Sequence, residues 1–489
     1  MYPEIKIRKE ISPDSSVAII IKENQLPDWL VLTKTEQEYA RQRIKEGEEI
    51  IVINSYYKLS IIISEKEFPE PYRKHEELRR RAAKVRKILK EHKLNEITVA
   101  SVHNNFSAIA FAEGLVLSSY EFNKYNKEGE KGKMYAYPGE VFLYGEYNAD
   151  DLKWLNAVSK GVYFARDLVN EPNNYLNAER FAAIVNQYAG SLGVKVDIYG
   201  KKKLEALRMG GILSVNKGSV DPPTFSILEW KPEQPVNKKP VVLVGKGVMF
   251  DTGGINLKPG NYIEDMKSDM AGGAVVVAVL SAIAEAAINV HVIGLVPATD
   301  NRPGNDAIVP GDIISMYDGT RVEIINTDAE GRLILADALS FADNYDPSLI
   351  ITVATLTGSA ENAFGNQAIA AMTNADRNIF NLLYESGNYV YERLAEMPFF
   401  EEYGEMIKSE IADIKNLGEK KAGAITAGKF LEHFTDLPLI HLDIAGCAIS
   451  QKDEHYRPKG GTGTGVRLLS EFIKRMGEQQ KEKYKLTKK

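Results

Sequence analysis

"NTDAEGRLILADAL", Asn326 to Leu339, places three charged residues between two mostly apolar segments. Asp328, Glu330 and Arg332 stand two positions apart, after "VEII" and directly before "LILADAL". Burying an unpaired charge is costly, so buried charges in proteins are usually paired or bound to a metal ion. The stretch therefore indicates either the capped start of a helix or a functional site.

A helix cap explains the same residues without any function. Thr327 followed three residues later by Glu330 fits a capping box at the start of the helix "LILADALSFA". Asp328 would then interact with the positive N-terminus of the helix, and Arg332 would be a surface charge. Gly331 would lie in the first turn, where glycine weakens a helix. The stretch alone leaves both explanations open.

Composition sets the class of protein. The chain has 489 residues, enough for roughly two to four domains, with 44% apolar and 26% charged residues. A net charge of −6 gives no overall attraction to nucleic acid or anionic lipid. Cys447 is the only cysteine, which excludes an intrachain disulfide and a thiolate metal cluster. The start lacks the apolar segment of a secretory signal, and no apolar run reaches the length needed to cross a bilayer, so we expect a cytoplasmic protein without membrane contact.

The first third of the chain alternates short β-branched runs with a charged helix. The runs are "SSVAIII", "EEIIVI", "SIIIS" and "EITVASV", and the helix is "EPYRKHEELRRRAAKVRKILKEH". Its basic face could contact nucleic acid, but a solvated face is the more common role, so we do not expect nucleic acid as a partner. A polar loop at about residues 123–140 marks the edge of a smaller N-terminal α/β domain, residues 1–140.

Apolar strands and helices alternate through the remainder of the chain. The strands are "VKVDIYG", "PVVLVGKGV", "VHVIGLVP", "RVEIIN", "LIITVATL" and "PLIHLDIAG", and "GAVVVAVLSAIAEAA" is typical of the helices. This order predicts a larger C-terminal α/β domain, residues 151–489, with a mixed, mainly parallel sheet covered on both faces. Ligands of such sheets bind at the C-terminal ends of the strands.

Three of these strand ends carry unusual charges. "VVLVGKGVMFDTGG" contains Lys246 and Asp251, "NLKPGNYIEDMKSDMAGGA" contains Lys258 and Asp269, and "NTDAEGR" is the third. Each charge has an ordinary explanation by itself, such as a turn lysine or an N-cap at Asp269. Charged residues at three separate strand ends, considered together, indicate a single functional site.

The residue types narrow the chemistry of that site. A phosphate loop of the form G-x-x-x-x-G-K-[ST] is absent, because a glycine follows Lys246 in "GKG". The seven histidines are scattered, and no H-E-x-x-H occurs. Converging carboxylates can hold two divalent ions, and a lysine amine can join them once it loses its proton. Carboxylate-bound metal pairs cleave phosphate esters as well as peptides, so both reactions remain open here.

Five motifs resemble those of one known family. With "VGKGVMFDTGGINLKP", "MKSDM", "NTDAEGRLILADAL", "ATLTGS" and "HLDIAG", the chain resembles the leucyl aminopeptidases, the cytosolic two-metal peptidases of family M17, from about Val162 to Leu469. "NTDAEGRL" is the signature of that family. The sequence differs at Ser268 and Ala271, where the family more often has a bulkier residue and a cysteine, and these differences concern the substrate pocket.

The resemblance implies a set of site residues. The implied metal ligands are Lys246, Asp251, Asp269, Asp328 and Glu330, and the implied catalytic pair is Lys258 and Arg332. The implied bicarbonate site is formed by Gly331, Arg332 and Leu356. The implied pocket for the first side chain of the peptide is lined by Met266, Asn326, Ala329, Thr355, Gly358, Ala445 and Ala448. Asp328 and Glu330, two apart in an extended segment, would direct their carboxylates to one side.

The resemblance also implies the reaction. The protein would be an aminopeptidase that releases N-terminal residues from peptides, preferably leucine or another apolar residue. Two divalent ions, Zn²⁺ or Mn²⁺ with Mg²⁺ as a further candidate, would activate water, and Lys258 would stabilise the oxyanion. Bicarbonate held by Arg332 would carry the proton, and the assembly would be a homohexamer. A DNA-binding regulator is the alternative from another class, and the basic helix at residues 73–93 is its only support.

Overall fold

The computed structural model describes residues 2–22, 25–126, 137–419 and 421–487, without the side chains of 482–487. The chain forms two compact units. One comprises Met1–Tyr163 and Lys452–Lys459, and the other comprises Phe164–Gln451 and Gly460–Lys489. The division into domains 1–140 and 151–489 stays a prediction about which parts fold independently, and part of the loop used to draw it lies outside the described residues.

The first unit is built on a six-stranded sheet in the order β1-β6-β5-β2-β4-β3, in which only the edge strand β3 is antiparallel to its neighbour. Its elements are β1 (Glu4–Arg8), β2 (Val17–Ile21), α1 (Lys34–Lys45), β3 (Ile50–Asn54), β4 (Leu59–Ser64), α2 (Pro71–Glu91), β5 (Glu96–Ser101), α3 (Asn105–Ser118), β6 (Glu140–Tyr144) and α4 (Ala149–Asn170), which continues into the second unit. Alternate residues of β2 enter opposite cores, as the two-residue period of a strand requires. Ala18 and Ile20 pack with α2 and α3, whereas Ile19 packs with Ala40 of α1.

Helix α2 buries part of the basic face that the sequence predicted to be solvated. Arg79 and Arg81 are both buried. Arg79 Nε donates to Glu113 at 2.6 Å, and Arg81 Nε donates to Glu77 at 3.1 Å. A buried guanidinium is tolerated when a carboxylate compensates it. The predicted solvation is therefore wrong for these two residues, and they are not exposed to phosphate groups.

The second unit is built on a nine-stranded sheet in the order β16-β15-β18-β14-β9-β11-β8-β7, with β10 paired to β11. Its strands are β7 (Lys195–Gly200), β8 (Thr224–Trp230), β9 (Val241–Gly245), β10 (Gly247–Asp251), β11 (Val292–Asn301), β14 (Leu349–Ala354), β15 (Ile369–Thr373), β16 (Leu394–Glu396) and β18 (Leu439–Asp443). The central strands β18, β14, β9 and β11 run parallel, and antiparallel pairs occur towards the edges. The predicted α/β class with a mixed, mainly parallel sheet is confirmed.

Helices and short strands complete this unit. The helices are α5 (Ala178–Ser191), α6 (Lys201–Leu207), α7 (Gly210–Asn216), α8 (Ala271–Glu285), α9 (Gly331–Ala342), α10 (Gly358–Phe364), α11 (Arg377–Val390), α12 (Glu402–Glu405), α13 (Gly423–Glu432) and α14 (Val466–Thr487). The short strands are β12 (Ile313–Ser315), β13 (Arg321–Glu323) and β17 (Ile414–Lys415) in one sheet, and β19 (Ile449–Ser450) and β20 (Gly460–Gly461) in another. Single 3₁₀ turns occur at Gly260–Ile263, Met266–Ser268 and Asp343–Tyr345.

Helix α8 is almost wholly apolar because strands β9, β11 and β14 and helix α14 pack against it. With the preceding turn it forms a stretch, Met266–Glu285, that is long and apolar enough to cross a membrane. The prediction that no run reaches that length was wrong. Within this stretch, 94% of the 18-residue apolar window is buried, which is the pattern of a core helix.

Candidate metal centre

Lys246 occupies a gap in the central sheet. Strand β9 pairs with the first half of β11 and β10 with its second half, and Lys246 lies between β9 and β10, across from Pro297. Proline has no amide hydrogen to donate to a sheet ladder. Lys246 is held instead by its neighbours, because its amide donates to the Val353 carbonyl at 3.0 Å and its carbonyl accepts from Gly273 N at 2.7 Å. Its side chain is thereby fixed at the C-terminal end of β9.

Three of the predicted ligands converge directly. One carboxylate oxygen each from Asp251, Asp328 and Glu330 lies within 4.8 Å of the other two. Asp251 ends β10, whereas Asp328 and Glu330 precede α9. Asp251 and Glu330 are buried, and the Asp328 side chain is 31% exposed. Solvent therefore reaches the cluster on the side of Asp328.

The Lys246 ammonium joins Asp269 to this cluster. Its Nζ lies 2.7 Å from Asp269 Oδ2 and 2.9 Å from Glu330 Oε1, and it donates to the Thr355 carbonyl at 2.9 Å. Burial is the largest effect and lowers the Lys246 pKa, but Asp269, Glu330 and Asp251 together raise it above its ordinary value. Without a cation beside it, Lys246 is therefore protonated.

Lys258 contacts the opposite side of the cluster. Its Nζ lies 2.7 Å from Asp251 Oδ2 and 2.6 Å from Asp328 Oδ1. Burial lowers the Lys258 pKa, and the charges of Asp251, Glu330 and Asp328 more than offset that effect and raise it. Each of the two lysines thus contacts two of the four carboxylates and offsets part of their negative charge.

The donor set fits divalent cations. Burial, followed by repulsion from Asp251 and Glu330, raises the pKa of Asp328 to about 7. Burial also raises the pKa of Asp269 well above its ordinary value, although Lys246 opposes the shift. Asp269 Oδ2 and Asp328 Oδ1 face only the ammonium groups of Lys246 and Lys258, at 2.7 and 2.6 Å, among the described residues. Mutually repelling carboxylate oxygens of this kind are the ligands that hard divalent ions prefer.

The structure contradicts the capping alternatives. Helix α9 begins at Gly331, and Glu330 at its N-cap position makes no side-chain cap in the part of the chain described. The Thr327 hydroxyl instead donates to the Gly253 carbonyl at 2.6 Å and accepts from Asn256 N at 2.9 Å. The segment that carries Asp328 is a turn rather than the extended chain predicted, so the turn brings its carboxylate beside that of Glu330.

Asp269 is not a helix cap either. The N-cap position of α8 is Met270, and the Asp269 carboxylate instead faces Lys246. Thr355 Oγ1 donates to Asp269 Oδ1 at 2.7 Å, which orients the carboxylate further. The ordinary explanation for this charge is therefore wrong.

Arg332 lies buried beside the cluster. Its Nη1 donates to the Asn416 carbonyl at 2.8 Å, while its Nε is a buried donor with no acceptor among the residues described. Burial lowers the pKa of Arg332 to about 10, against the opposing charges of Glu330 and Asp443. The Leu356 amide, another predicted part of the bicarbonate site, donates to Asp443 Oδ1 at 3.1 Å. The Leu356 amide is thus already used, whereas the Arg332 Nε can still donate a hydrogen bond to an anion as far as the described residues are concerned.

The predicted pocket residues lie on four segments of the chain. These are Met266 in the turn before Asp269, Asn326 and Ala329 in the turn before α9, Thr355 and Gly358 after β14, and Ala445 and Ala448 after β18. The Met266 carbonyl accepts from Asp269 N at 3.4 Å, and Thr355 contacts Asp269 directly. Gly358 is exposed, whereas Ala329 and Ala448 are buried.

Two residues at this site were missed in the sequence. Asn301 Nδ2 donates to Asp251 Oδ1 at 2.8 Å and to the Thr327 carbonyl at 3.1 Å. Asp443 accepts hydrogen bonds from Leu356 N, Thr357 Oγ1 and Ala445 N, and burial raises its pKa to about 6. Both residues end apolar strands, β11 and β18, and that position was the signal that could have identified them.

A buried carboxylate and lysine cluster at the strand ends of an α/β sheet is typical of a metal-dependent hydrolase. Residues 163–470 match the catalytic domain of the cytosol aminopeptidase family. A probable cytosol aminopeptidase from Chlorobium limicola is 44% identical over 384 residues, 75% of each chain, and one from Chlorobaculum tepidum is 49% identical over 313 residues, 63% of this chain and 62% of the other. The solved bottromycin maturation enzyme BotP in complex with Mn has a TM-score of 0.83 and 27% identity, over 95% of this chain and 100% of that one.

The chain belongs to the cytosol aminopeptidase family and is a metallo-aminopeptidase. The resemblance drawn from the motifs is confirmed.

Proposed function

We propose that this enzyme releases N-terminal residues from peptides, preferably leucine or another apolar residue, with a pair of divalent ions. The observation that carries the proposal is the convergence of Asp251, Asp328 and Glu330, whose oxygens lie within 4.8 Å of one another. Asp269 and Lys246 would complete the ligand set, because Lys246 contacts both Asp269 and Glu330.

Bound at these residues, the two ions would supply an acidified water and polarise the scissile carbonyl. Zn²⁺, Mn²⁺ and Mg²⁺ all suit oxygen-rich ligands, and the complex of BotP with Mn supports Mn²⁺ as a first choice. Lys246 can contribute a lone pair only as the neutral amine, so it would release its proton when the ion binds.

Lys258 and Arg332 would serve the reaction without binding metal. The Lys258 ammonium is in direct contact with two of the proposed ligands and is partly exposed, so it can donate to the carbonyl oxygen as negative charge develops there. Arg332 stays protonated at neutral pH and cannot act as a base. Its buried Nε, with no acceptor among the described residues, supports a bound anion, and bicarbonate there would relay the proton to the leaving amine.

Substrate preference and assembly are the finer parts of the proposal. The pocket for the first side chain would be lined by an uncharged set that suits leucine, namely Met266, Asn326, Ala329, Thr355, Gly358, Ala445 and Ala448. A homohexamer and a cytoplasmic location follow from the family resemblance, and the name "cytosol aminopeptidase" of the relatives supports the location.

Release of p-nitroaniline from leucine p-nitroanilide tests this function. Activity should disappear after chelation and return with Mn²⁺ or Zn²⁺, while an aryl phosphate should remain intact. Glutamate p-nitroanilide is the matched substrate for the apolar preference and should be cleaved more slowly. Equal rates before and after complete metal removal would contradict the proposal.

A further inference from the structure

The turn that carries two of the proposed ligands lies outside regular structure. This segment, residues 325–330 and here called the ligand turn, connects β13 to α9. Buried backbone groups need hydrogen-bond partners, and a turn cannot supply all of them from its own backbone. Within the ligand turn, Asp328 N donates to the Asn326 side chain at 2.8 Å and Ala329 N to the Asn326 carbonyl at 3.2 Å. Thr327 N uses the Asn256 side chain at 2.9 Å.

The side chain of Asn416 supplies the remaining contacts at the start of the turn. Asn416 Oδ1 accepts from Ile325 N at 2.7 Å and from Asn326 N at 3.3 Å. Its Nδ2 donates to the Asn326 carbonyl at 2.7 Å and to the Ala329 carbonyl at 3.5 Å. The oxygen and the nitrogen of the Asn416 side-chain amide therefore both form hydrogen bonds with the ligand turn.

The backbone of Asn416 contacts the two flanks of the same turn. Asn416 N donates to the Glu323 carbonyl at 2.9 Å, and the Asn416 carbonyl accepts from Arg332 Nη1 at 2.8 Å. Asn416 follows β17, which pairs with β13, and its exposed fraction is 0%. One buried residue from a distant part of the chain thus contacts positions on both sides of Asp328 and Glu330.

We propose that Asn416 is a positioning residue that sets the geometry of Asp328, Glu330 and Arg332 relative to one another. The inference rests on the proposed function, in which the two carboxylates bind metal and Arg332 holds the proton-relaying anion. Asn416 holds the turn through its side chain and the guanidinium through its carbonyl, so a shift of Asn416 would move all three groups. Residues that orient metal ligands in this way commonly change metal affinity or activity by about 10- to 100-fold when replaced.

Two substitutions separate positioning from packing. Asn416→Ala removes the whole amide and leaves a cavity. Asn416→Asp keeps the shape and the acceptor for Ile325 N but loses both donors to the turn carbonyls. Its added negative charge would by itself strengthen cation binding, so weaker metal binding in this variant indicates altered geometry of the ligand turn rather than lost electrostatic attraction.

Asn237 provides a matched control. It is also buried, and its side chain makes three hydrogen bonds, to the Lys239 carbonyl, the His291 carbonyl and His291 N. These contacts lie before β9 and β11, at the opposite end of those strands from the carboxylates. Asn237→Ala should lower the melting temperature and leave metal affinity and kcat unchanged.

The experiment measures Mn²⁺ affinity by competition with a chromophoric chelator, kcat and KM for leucine p-nitroanilide at saturating Mn²⁺, and the melting temperature. Both Asn416 variants should bind Mn²⁺ about 10- to 100-fold more weakly and show a lower kcat even when saturated. If both Asn416 variants behave like Asn237→Ala and keep wild-type Mn²⁺ affinity and kcat, the inference about Asn416 is overturned while the proposed function stands. A wild-type enzyme that neither binds Mn²⁺ nor releases leucine would overturn the proposed function, and the inference with it.

Discussion

Gly331 approaches Lys246 so closely that a Cβ at position 331 would stand 2.4 Å from Lys246 Cε and 2.7 Å from its Nζ. Atoms that are not bonded to one another do not pack at such distances. Helix α9 therefore begins with a residue that weakens helices because the lysine stem fills the space where a side chain would lie. The capping box gave no reason for a glycine at position 331, and the space taken by the Lys246 side chain provides one.

Replacing Gly331 with alanine should displace the Lys246 amine. A shift of about 1 Å in a positioned group can lower the rate about 10²-fold, so we expect a loss of that order in kcat with reduced metal content. Gly190→Ala is the control, because a Cβ on this helical glycine would have no described atom within 4 Å beyond its own helix backbone and chain neighbours. Steady-state kinetics and metal analysis of both variants test the prediction, which fails if Gly331→Ala keeps wild-type values.

Lys246 should be replaceable by neither arginine nor methionine. Arginine keeps the charge and methionine keeps the approximate shape, but neither offers an amine lone pair to an ion. Each variant should therefore lose one of the two proposed ions and most of the activity. Native mass spectrometry after dialysis counts the ions. Two ions per chain in the methionine variant would show that Lys246 is only a counter-charge for Asp269 and Glu330.

The sequence was most informative where strands end in charged residues. Lys246 and Asp251 could be assigned to one edge of the sheet because parallel strands present their C-terminal ends together. The signature "NTDAEGRL" then identified Asp328 and Glu330 through resemblance rather than through any local rule. The local rule pointed to a capping box, and it failed because the Thr327 hydroxyl contacts Gly253 and Asn256 instead of the helix.

The contacts of Asn416 could not be predicted from the sequence. It lies in "DIKNLG", a polar segment with no distinct periodicity, and its contacts depend on the pairing of β17 with β13, two strands that are separated in the chain by α9 to α12 and β14 to β16. Likewise, the burial of Arg81 depends on tertiary packing, because a helix pattern rich in arginine ordinarily indicates a solvated face. Long-range pairing, rather than local propensity, determines both.

Lys258→Met should reduce turnover while both ions stay bound. The ammonium of Lys258 lies 2.7 Å from Asp251 and 2.6 Å from Asp328, so its removal takes away a competing cation and frees carboxylate charge for metal. The oxyanion donor is lost at the same time, which lowers kcat by roughly 10²-fold or more. Metal content measured beside kcat distinguishes this result from loss of the site. Wild-type turnover in the metal-replete variant would show that Lys258 is not the oxyanion donor.

His441 gives the fold a dependence on pH that is separate from the metal ligands. It is fully buried in β18, where its Nδ1 lies 2.8 Å from Thr352 Oγ1 and its Nε2 has no hydrogen-bond partner in the described chain. Burial, with a smaller effect of the Arg332 charge, lowers the pKa of His441 to about 3. The unfolded chain takes up this proton near the ordinary value of about 6.5. As pH falls from about 7 towards 3, the unfolded state gains a proton that the folded state does not, so stability decreases.

His441→Gln should therefore flatten the dependence of the unfolding free energy on pH between about 7 and 4. One proton taken up only by the unfolded state contributes at most about 1.4 kcal/mol per pH unit, and the variant should lose that part of the slope even though it is less stable at neutral pH. His92→Gln, a change at an exposed histidine, is the control and should leave the slope unaltered. Urea titrations at several pH values measure both slopes. If the two proteins show the same dependence of unfolding free energy on pH, His441 must be protonated in the folded enzyme. That result would contradict the neutral ring expected from its burial and from the Arg332 charge.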